Sequence, residues 1–321
     1  MSGEEDFTVP SFDELPFVPG RTDERHAWEV WGSGDNIGSI NRVGPAQVHA
    51  ASQLVRTGEV VSLSLPLNEP FPGVYFHREP YVHTPHRTAN GRDDKVDNLY
   101  LQFSSQWDGL RHMRYRDRYW GGRTDEELDS STDIGIEHWA DRGLIGRGVL
   151  VDVVAYQAAI GRPIEFDEPF EVTHTLIERI AESEGVEFRS GDFLILRTGW
   201  IEGYRQLSLE DRQLMQGTIG KGFACPGLES SRETARWLWN NGIAGVASDN
   251  PAVEVLPVNR EKGFLHRRMI ALQGMAVGEF WWLADLAARC SASGRYEFML
   301  TSAPLNIQGG IGTPSNAYAI L

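Results

Sequence analysis

At 321 residues, with 41% hydrophobic and 10% aromatic side chains, the chain holds ample apolar material for a packed core, which excludes wholesale disorder. A formal charge of −15 with no offsetting basic run argues against nucleic acid or an anionic membrane surface as partner. The two cysteines, Cys225 and Cys290, form no CxxC pair and no disulfide framework, and no apolar run is long enough to cross a membrane.

In chain order, residues 1–25 are rich in proline and acid and predict an extended N-terminal arm, with no apolar leader. Residues 26–321 read as one domain, without internal repeat or change of composition, in a cytoplasmic protein. Asp35 to Asn41 is a glycine-punctuated turn. Pro45 to Thr57 predicts a helix with Pro in its first turn and Gly58 past its end. Val60 to Leu65 alternates as a strand does. Residues 68–97, with Pro70, Pro72, Pro80 and Pro85, read as a loop overhanging a substrate cavity. Its histidines, His77, His83 and His86, lie where solvated side chains are commoner than ligands.

From Asn98 to Trp107 the pattern alternates again, with Leu99, Leu101 and Phe103 on one parity. Gln102, Ser104, Gln106 and Asp108 share the other, so a strand here would turn all four to one face and line a cavity. An exposed edge strand followed by a surface turn gives the same alternation. Further on, Ile136 to Gly143 predicts a short helix, Gly148 to Val154 and Gly191 to Trp200 buried strands, and Phe170 to Glu184 an amphipathic helix. Glu229 to Asn240 predicts a helix closed by Asn241-Gly242, and Ile243 to Ser248 a strand reaching Asp249-Asn250.

The stretch Gln102-Phe-Ser-Ser-Gln-Trp-Asp-Gly-Leu-Arg-His112 resembles the metal-binding segment of the cyclase family, which includes bacterial kynurenine formamidase and isatin hydrolase. That family's pattern is His-x-Gly-Thr-His-x-Asp-x-x-x-His. Laid on it without gaps, this chain keeps Asp108 and His112 but has Gln102 and Gln106 where the family has histidines, and Ser104-Ser105 where it has Gly-Thr. Arg147 to Asp152, Gly191-Asp192 with Arg197 to Trp200, and Thr313 to Ala317 extend the resemblance over nearly the whole chain. It implies an α/β fold: a single domain with a central mixed β-sheet flanked by helices, of the swivelling β/β/α type. It also implies a homodimer or homotetramer in which the N-terminal arm packs across a neighbour.

For the chemistry, the resemblance implies hydrolysis of an amide, lactam, formamide or ester bond of a small, aromatic molecule, or the reverse ring closure. His112 would act as general acid/base beside Asp108, with Gln102, Ser105, Gln106 and Trp107 contacting substrate. His266 and Glu279 match the family's downstream His and Glu, and with Asp108 they imply a set for one divalent ion at most. Glutamine is a weaker donor than histidine, so manganese suits this oxygen-rich set better than zinc. A metal-free pocket, where Asp108 and Glu279 orient a histidine as acid/base in a cyclase or lyase, stands level with that reading. A catalytically silent small-molecule binder is the third. Trp107, Trp200, Trp281 and Trp282 would suit a flat ring, though tryptophan is also simply a good core residue.

Overall fold

The structure, a computed structural model, describes residues 8–74 and 78–321; His77 lies outside the described residues. Nine strands form one sheet: β1 (Val60–Ser62), β2 (Gln106–Asp108), β3 (Leu144–Asp152), β4 (Phe193–Arg197), β5 (Gly245–Ser248), β6 (Ala276–Glu279), β7 (Glu297–Ser302), β8 (Gly312–Pro314) and β9 (Ala317–Ile320). Across the sheet they run β1-β9-β7-β3-β4-β5-β6-β2-β8. The middle four, β3 to β6, are parallel, and their residues are almost all buried, as strands covered on both faces must be. The flanking pairs are antiparallel, which makes the sheet mixed.

β8 and β9 lie near opposite ends of that order, yet only Ser315 and Asn316 separate them in the chain. The three backbone steps from Pro314 to Ala317 reach about 11 Å at most, so the sheet has to curl until its ends approach one another. The seam is stitched by Leu63 N to Ala317 O (2.9 Å), Ser315 N to Ser105 O (2.8 Å) and Trp282 N to Leu63 O (3.0 Å). One large core fills one face around Trp107, Trp281, Phe193 and Leu300. A second, on the other face, gathers Val277, Met269, Leu265 and Leu196 under the helices His174–Ser183 and Arg232–Asn240.

Several local expectations change. The helix from Pro45 stops at Ser52. The predicted helix from Phe170 begins with a two-residue strand, Glu171–Val172, and turns helical only at His174, where Thr173 caps it. Residues 68–97 are not all loop, because Val82–Arg87 and Arg92–Asp97 form an antiparallel hairpin in which every residue is exposed. His83 there pairs with Asp94 across the hairpin at 2.7 Å, and no metal group forms around it among the described residues. Finally, Asn98 to Ser105 is a chain of turns, and only Gln106–Asp108 enters the sheet.

Of the arm expected over residues 1–25, the described residues 8–25 lie as a strap on their own chain. Phe12 and Leu15 are buried, Trp239 Nε1 donates to Pro10 O (2.8 Å), and Arg268 Nε donates to Glu24 Oε1 (3.0 Å). Both cysteines are buried and free. Among the described residues no helix is long and apolar enough to cross a membrane.

Candidate active site

β2 is three residues long and hydrogen-bonded on both sides, to β6 and to β8. Strand alternation sends Trp107 into one core and Gln106 and Asp108 to the opposite face. Register then does the rest: Gln106 stands opposite Glu279, and Asp108 opposite Val277 and Gly312. Residues facing one another across a ladder share a face, so Glu279 joins Gln106 and Asp108 although 173 positions separate Gln106 from it in the chain. Gly109 continues the turn, with no room for a side chain: a Cβ there would lie 2.7 Å from Ile311 O. His112 N bonds back to Gly109 O (2.9 Å), and the imidazole swings over Asp108, Nε2 to Oδ2 3.7 Å.

His266 arrives from the other core, at the start of a π-helical segment, Arg267–Leu272, that follows a long loop. Its partner is Glu254, a residue with no place in the sequence reading. Glu254 Oε1 accepts from His266 N (3.0 Å) and lies 3.2 Å from Nδ1, while Oε2 accepts from Leu265 N (2.9 Å) and Ser230 Oγ (2.7 Å). The preceding Val253 has φ +57°, a left-handed conformation uncommon for a β-branched residue, and Phe280, just after Glu279, has the same value. Backbone strain thus sits on both sides of the site.

The Nε2 edge of His266 meets two carboxylates, Glu279 Oε1 at 3.2 Å and Asp108 Oδ2 at 3.8 Å. Gln106 holds their other oxygens, since its Nε2 donates to Glu279 Oε2 (2.7 Å) and reaches Asp108 Oδ1 (3.4 Å). Asp108 Oδ2 is fully buried and has no hydrogen-bond partner among the described residues. A buried carboxylate oxygen without a partner is costly unless a cation or water completes it.

The donor set fits one divalent ion. Asp108, His266 and Glu279 each offer an atom, all within 4.8 Å of one another. Glu254 behind Nδ1 makes the carboxylate–histidine arrangement that orients metal-ligating imidazoles. Without an ion, a neutral imidazole has a single N–H and cannot satisfy Glu254 on one edge and two carboxylates on the other. The proton balance shows this: burial opposes a charged His266, but Asp108, Glu254 and Glu279 outweigh it and raise its pKa well above the ordinary value. Burial and the nearby charge of Asp108 push Glu279 up to about 7. Burial also works against ionised Asp108, yet the charges of His112 and His266 hold its pKa below the usual carboxylate value. Burial lowers the pKa of His112, which favours the neutral imidazole.

The site opens into a cavity of about 1030 Å³, lined by His112, His266 and Glu279 at one pole and by Met113, Tyr115, Phe223, Leu256 and Phe264 elsewhere. Arg78 also lines it and donates to Gln102 O. Glu254 and Arg78 are the two contributors the sequence reading missed; an acid in the apolar run Ala252-Val-Glu-Val-Leu256 was the available sign of the first.

The substrate-contact candidates divide. Gln106 lies against the two carboxylates. Gln102 is in a turn and not a strand, and its Nε2 lies 2.6 Å from where a Cβ on Gly312 would be, so glycine makes room for that amide beside Asp108. Ser105 points away from the cavity, accepting from Leu65 N (2.8 Å) and donating to Phe280 O (2.5 Å). Trp107 is on the opposite face, buried against Trp281 with Nε1 on Ser302 Oγ (2.9 Å). Trp200 and Trp281 are likewise core residues, so the cavity's rings are Tyr115, Phe223 and Phe264 instead.

A sequence model of the cyclase family matches residues 61–255, well over half of the chain. The chain belongs to the cyclase family. A crystal structure described as a novel cyclase is 30% identical and superposes with a TM-score of 0.81, over 92% of this chain and 99% of that one. An isatin hydrolase bound to the product analogue thioisatinate shares the fold at 18% identity and TM-score 0.58, over 87% and 99%. Isatin hydrolase A from Labrenzia aggregata does so at 17% identity and TM-score 0.55, over 84% and 94%. No curated protein matches.

Proposed function

We propose that this cyclase-family chain is a hydrolase that opens an amide, lactam, formamide or ester bond of a small, ring-bearing molecule, with one divalent ion held by Asp108, His266 and Glu279. The observation that carries the reading is the convergence of Asp108 Oδ2, Glu279 Oε1 and His266 Nε2, with His112 Nε2 also 3.7 Å from Asp108 Oδ2 and a cavity in front. When bound, the ion supplies Lewis-acid activation of water and of the substrate carbonyl.

The chain's own residues do the rest. His112 Nε2, kept neutral by burial, takes the proton of the attacking water. The carboxylate of Asp108 at 3.7 Å stabilises the imidazolium that results, and His112 then passes the proton to the leaving nitrogen or oxygen. Glu254 holds Nδ1 of His266 and so aims Nε2 at the ligand position. Gln106 fixes one oxygen of each carboxylate and leaves the other free to ligate. The apolar wall of Met113, Phe223 and Leu256 keeps bulk water from the reacting carbonyl.

The test is metal analysis of the purified protein together with a hydrolase screen of N-formyl anilides, lactams and aryl esters. Turnover should vanish on chelation and return with manganese better than with zinc. His112→Ala should lower kcat by about 10²–10⁴-fold with metal content unchanged, because His112 moves a proton and does not ligate. Full turnover after exhaustive chelation, with no metal detected, would overturn the metal and leave His266, poised as an imidazolium, as the acid of a metal-free reaction.

A further inference from the structure

The rim of the cavity carries more positive charge than the rest of this chain would suggest. Over 321 residues acids outnumber lysine and arginine by 45 to 30, yet Arg21, Arg78, Arg260, Arg267 and Arg268 all line the one cavity. Arg21 pairs with Asp23, and Arg268 with Glu24. In the loop that leads to His266, Lys262 is also committed, bridging Glu171 (2.6 Å) and Glu229 (2.7 Å). Arg260 and Arg267 differ, for among the described residues neither makes an ion pair. Of the acids at the rim, Asp23 and Glu24 are taken, which leaves Glu261 to balance both arginines.

Arg267 is also held in place. Its guanidinium lies over the Phe264 ring, 5.4 Å from the centroid, an arrangement that fixes the plane and leaves the edge N–H donors for a ligand. Phe264 lines the same cavity, whose remaining wall is largely apolar, with Met113, Phe223 and Leu256. At about 1030 Å³ the cavity is at the upper end of the range that encloses drug-sized ligands, far more than a single small ring requires.

We propose that the cavity selects an anionic ligand: a carboxylate on an extended apolar or aromatic body, with the carboxylate taken at the mouth by Arg267 and Arg260. The other end of the ligand then reaches Asp108, His266 and Glu279. Only that second statement, which makes the ligand a substrate, rests on the hydrolase reading. The anion subsite stands on the rim itself.

The experiment is calorimetric titration of the wild-type protein with biphenyl-4-carboxylate and with its isosteric carboxamide, before and after chelation. Chelation matters because a carboxylate can also bind to a metal. The carboxylate should bind about tenfold or more tightly than the amide, in both states of the protein, and lose that advantage as salt is raised. Arg267→Gln combined with Arg260→Gln should remove the preference while amide binding stays the same; both side chains are exposed, so folding is spared. Equal binding of the two probes, binding of neither, or a preference that survives in the double variant or disappears with the metal would overturn the proposal. The readout is binding, so a protein that hydrolyses nothing would defeat the proposed function and leave this subsite standing.

Discussion

Glu254 makes three contacts at the start of one π-helical segment and accepts a fourth from Ser230 Oγ, and it thereby decides which nitrogen of His266 faces the ligand position. Glu254→Gln replaces one acceptor oxygen with a donor and loosens that orientation. Metal affinity should fall by about 10–100-fold, read by competition with a chromogenic chelator, while the fold persists. Glu184, a half-buried carboxyl outside this cavity, makes a prediction about pH. Burial pushes it up to about 8, its Oε1 accepts from Asp152 N (3.2 Å), and Oε2 has no partner among the described residues. An acid whose pKa is higher folded than unfolded binds its proton more tightly in the folded state. Its stabilising contribution is therefore complete below the ordinary value of 4.5 and is lost as pH rises through about 8. Glu184→Gln should flatten the fall of the melting temperature between those limits, and stabilise the protein at the alkaline end by about 1–3 kcal/mol after allowance for partial solvent screening.

At the scale of elements, the site is made where a three-residue strand is clamped between two neighbours. Gln106 and Asp108 face the chemistry because Trp107 between them is anchored in the opposite core against Trp281, ring centroids 4.8 Å apart. Ser105 holds the entry to that strand, and its hydroxyl joins the backbones of Leu65 and Phe280 across the seam of the curled sheet. Ser105→Ala would leave the buried Leu65 N–H without its acceptor and should cost about 1–3 kcal/mol of stability. In the same variant kcat should be nearly unchanged, measured beside the denaturation curve. A large loss of kcat at full stability would instead return Ser105 to the substrate-contacting residues.

For the whole molecule, the hairpin Val82–Arg87 with Arg92–Asp97 has every residue exposed, and an isolated two-stranded hairpin is marginal in water. Cover from a second copy would resolve that. Light scattering at micromolar concentration should accordingly give about two or four times the chain mass of 35.9 kDa. A stable monomer would leave the hairpin uncovered and sink the expectation.

How much of this was legible before folding depends on distance along the chain. Runs of residues carry their own periodicity, so strands were legible within Gly148–Val154, Gly191–Trp200 and Ile243–Ser248, although helices begin at Val153 and at Trp200. Asp108 with His112 stood out through the resemblance of their stretch to the family's motif. The family came from the resemblance of Gln102 to His112 and of segments further along the chain, and the α/β class followed from the family. Alternation from Asn98 to Ser105 misled, because alternating polarity does not require a ladder partner, and those residues turn before reaching one. Exposed hairpin strands with Pro85 inside them bury nothing, and so carried no hydrophobic signal to find. Glu254 and Arg78 escaped for a different reason. Their meaning lies in which groups they meet, and that is decided by strand register, by the curl that Ser315 and Asn316 force on the sheet, and by a loop held at Val253 in a conformation its own side chain disfavours. Local residues chose most of the elements; only packing of the whole chain chose the partners, because contacts between residues far apart in sequence depend on every element between them.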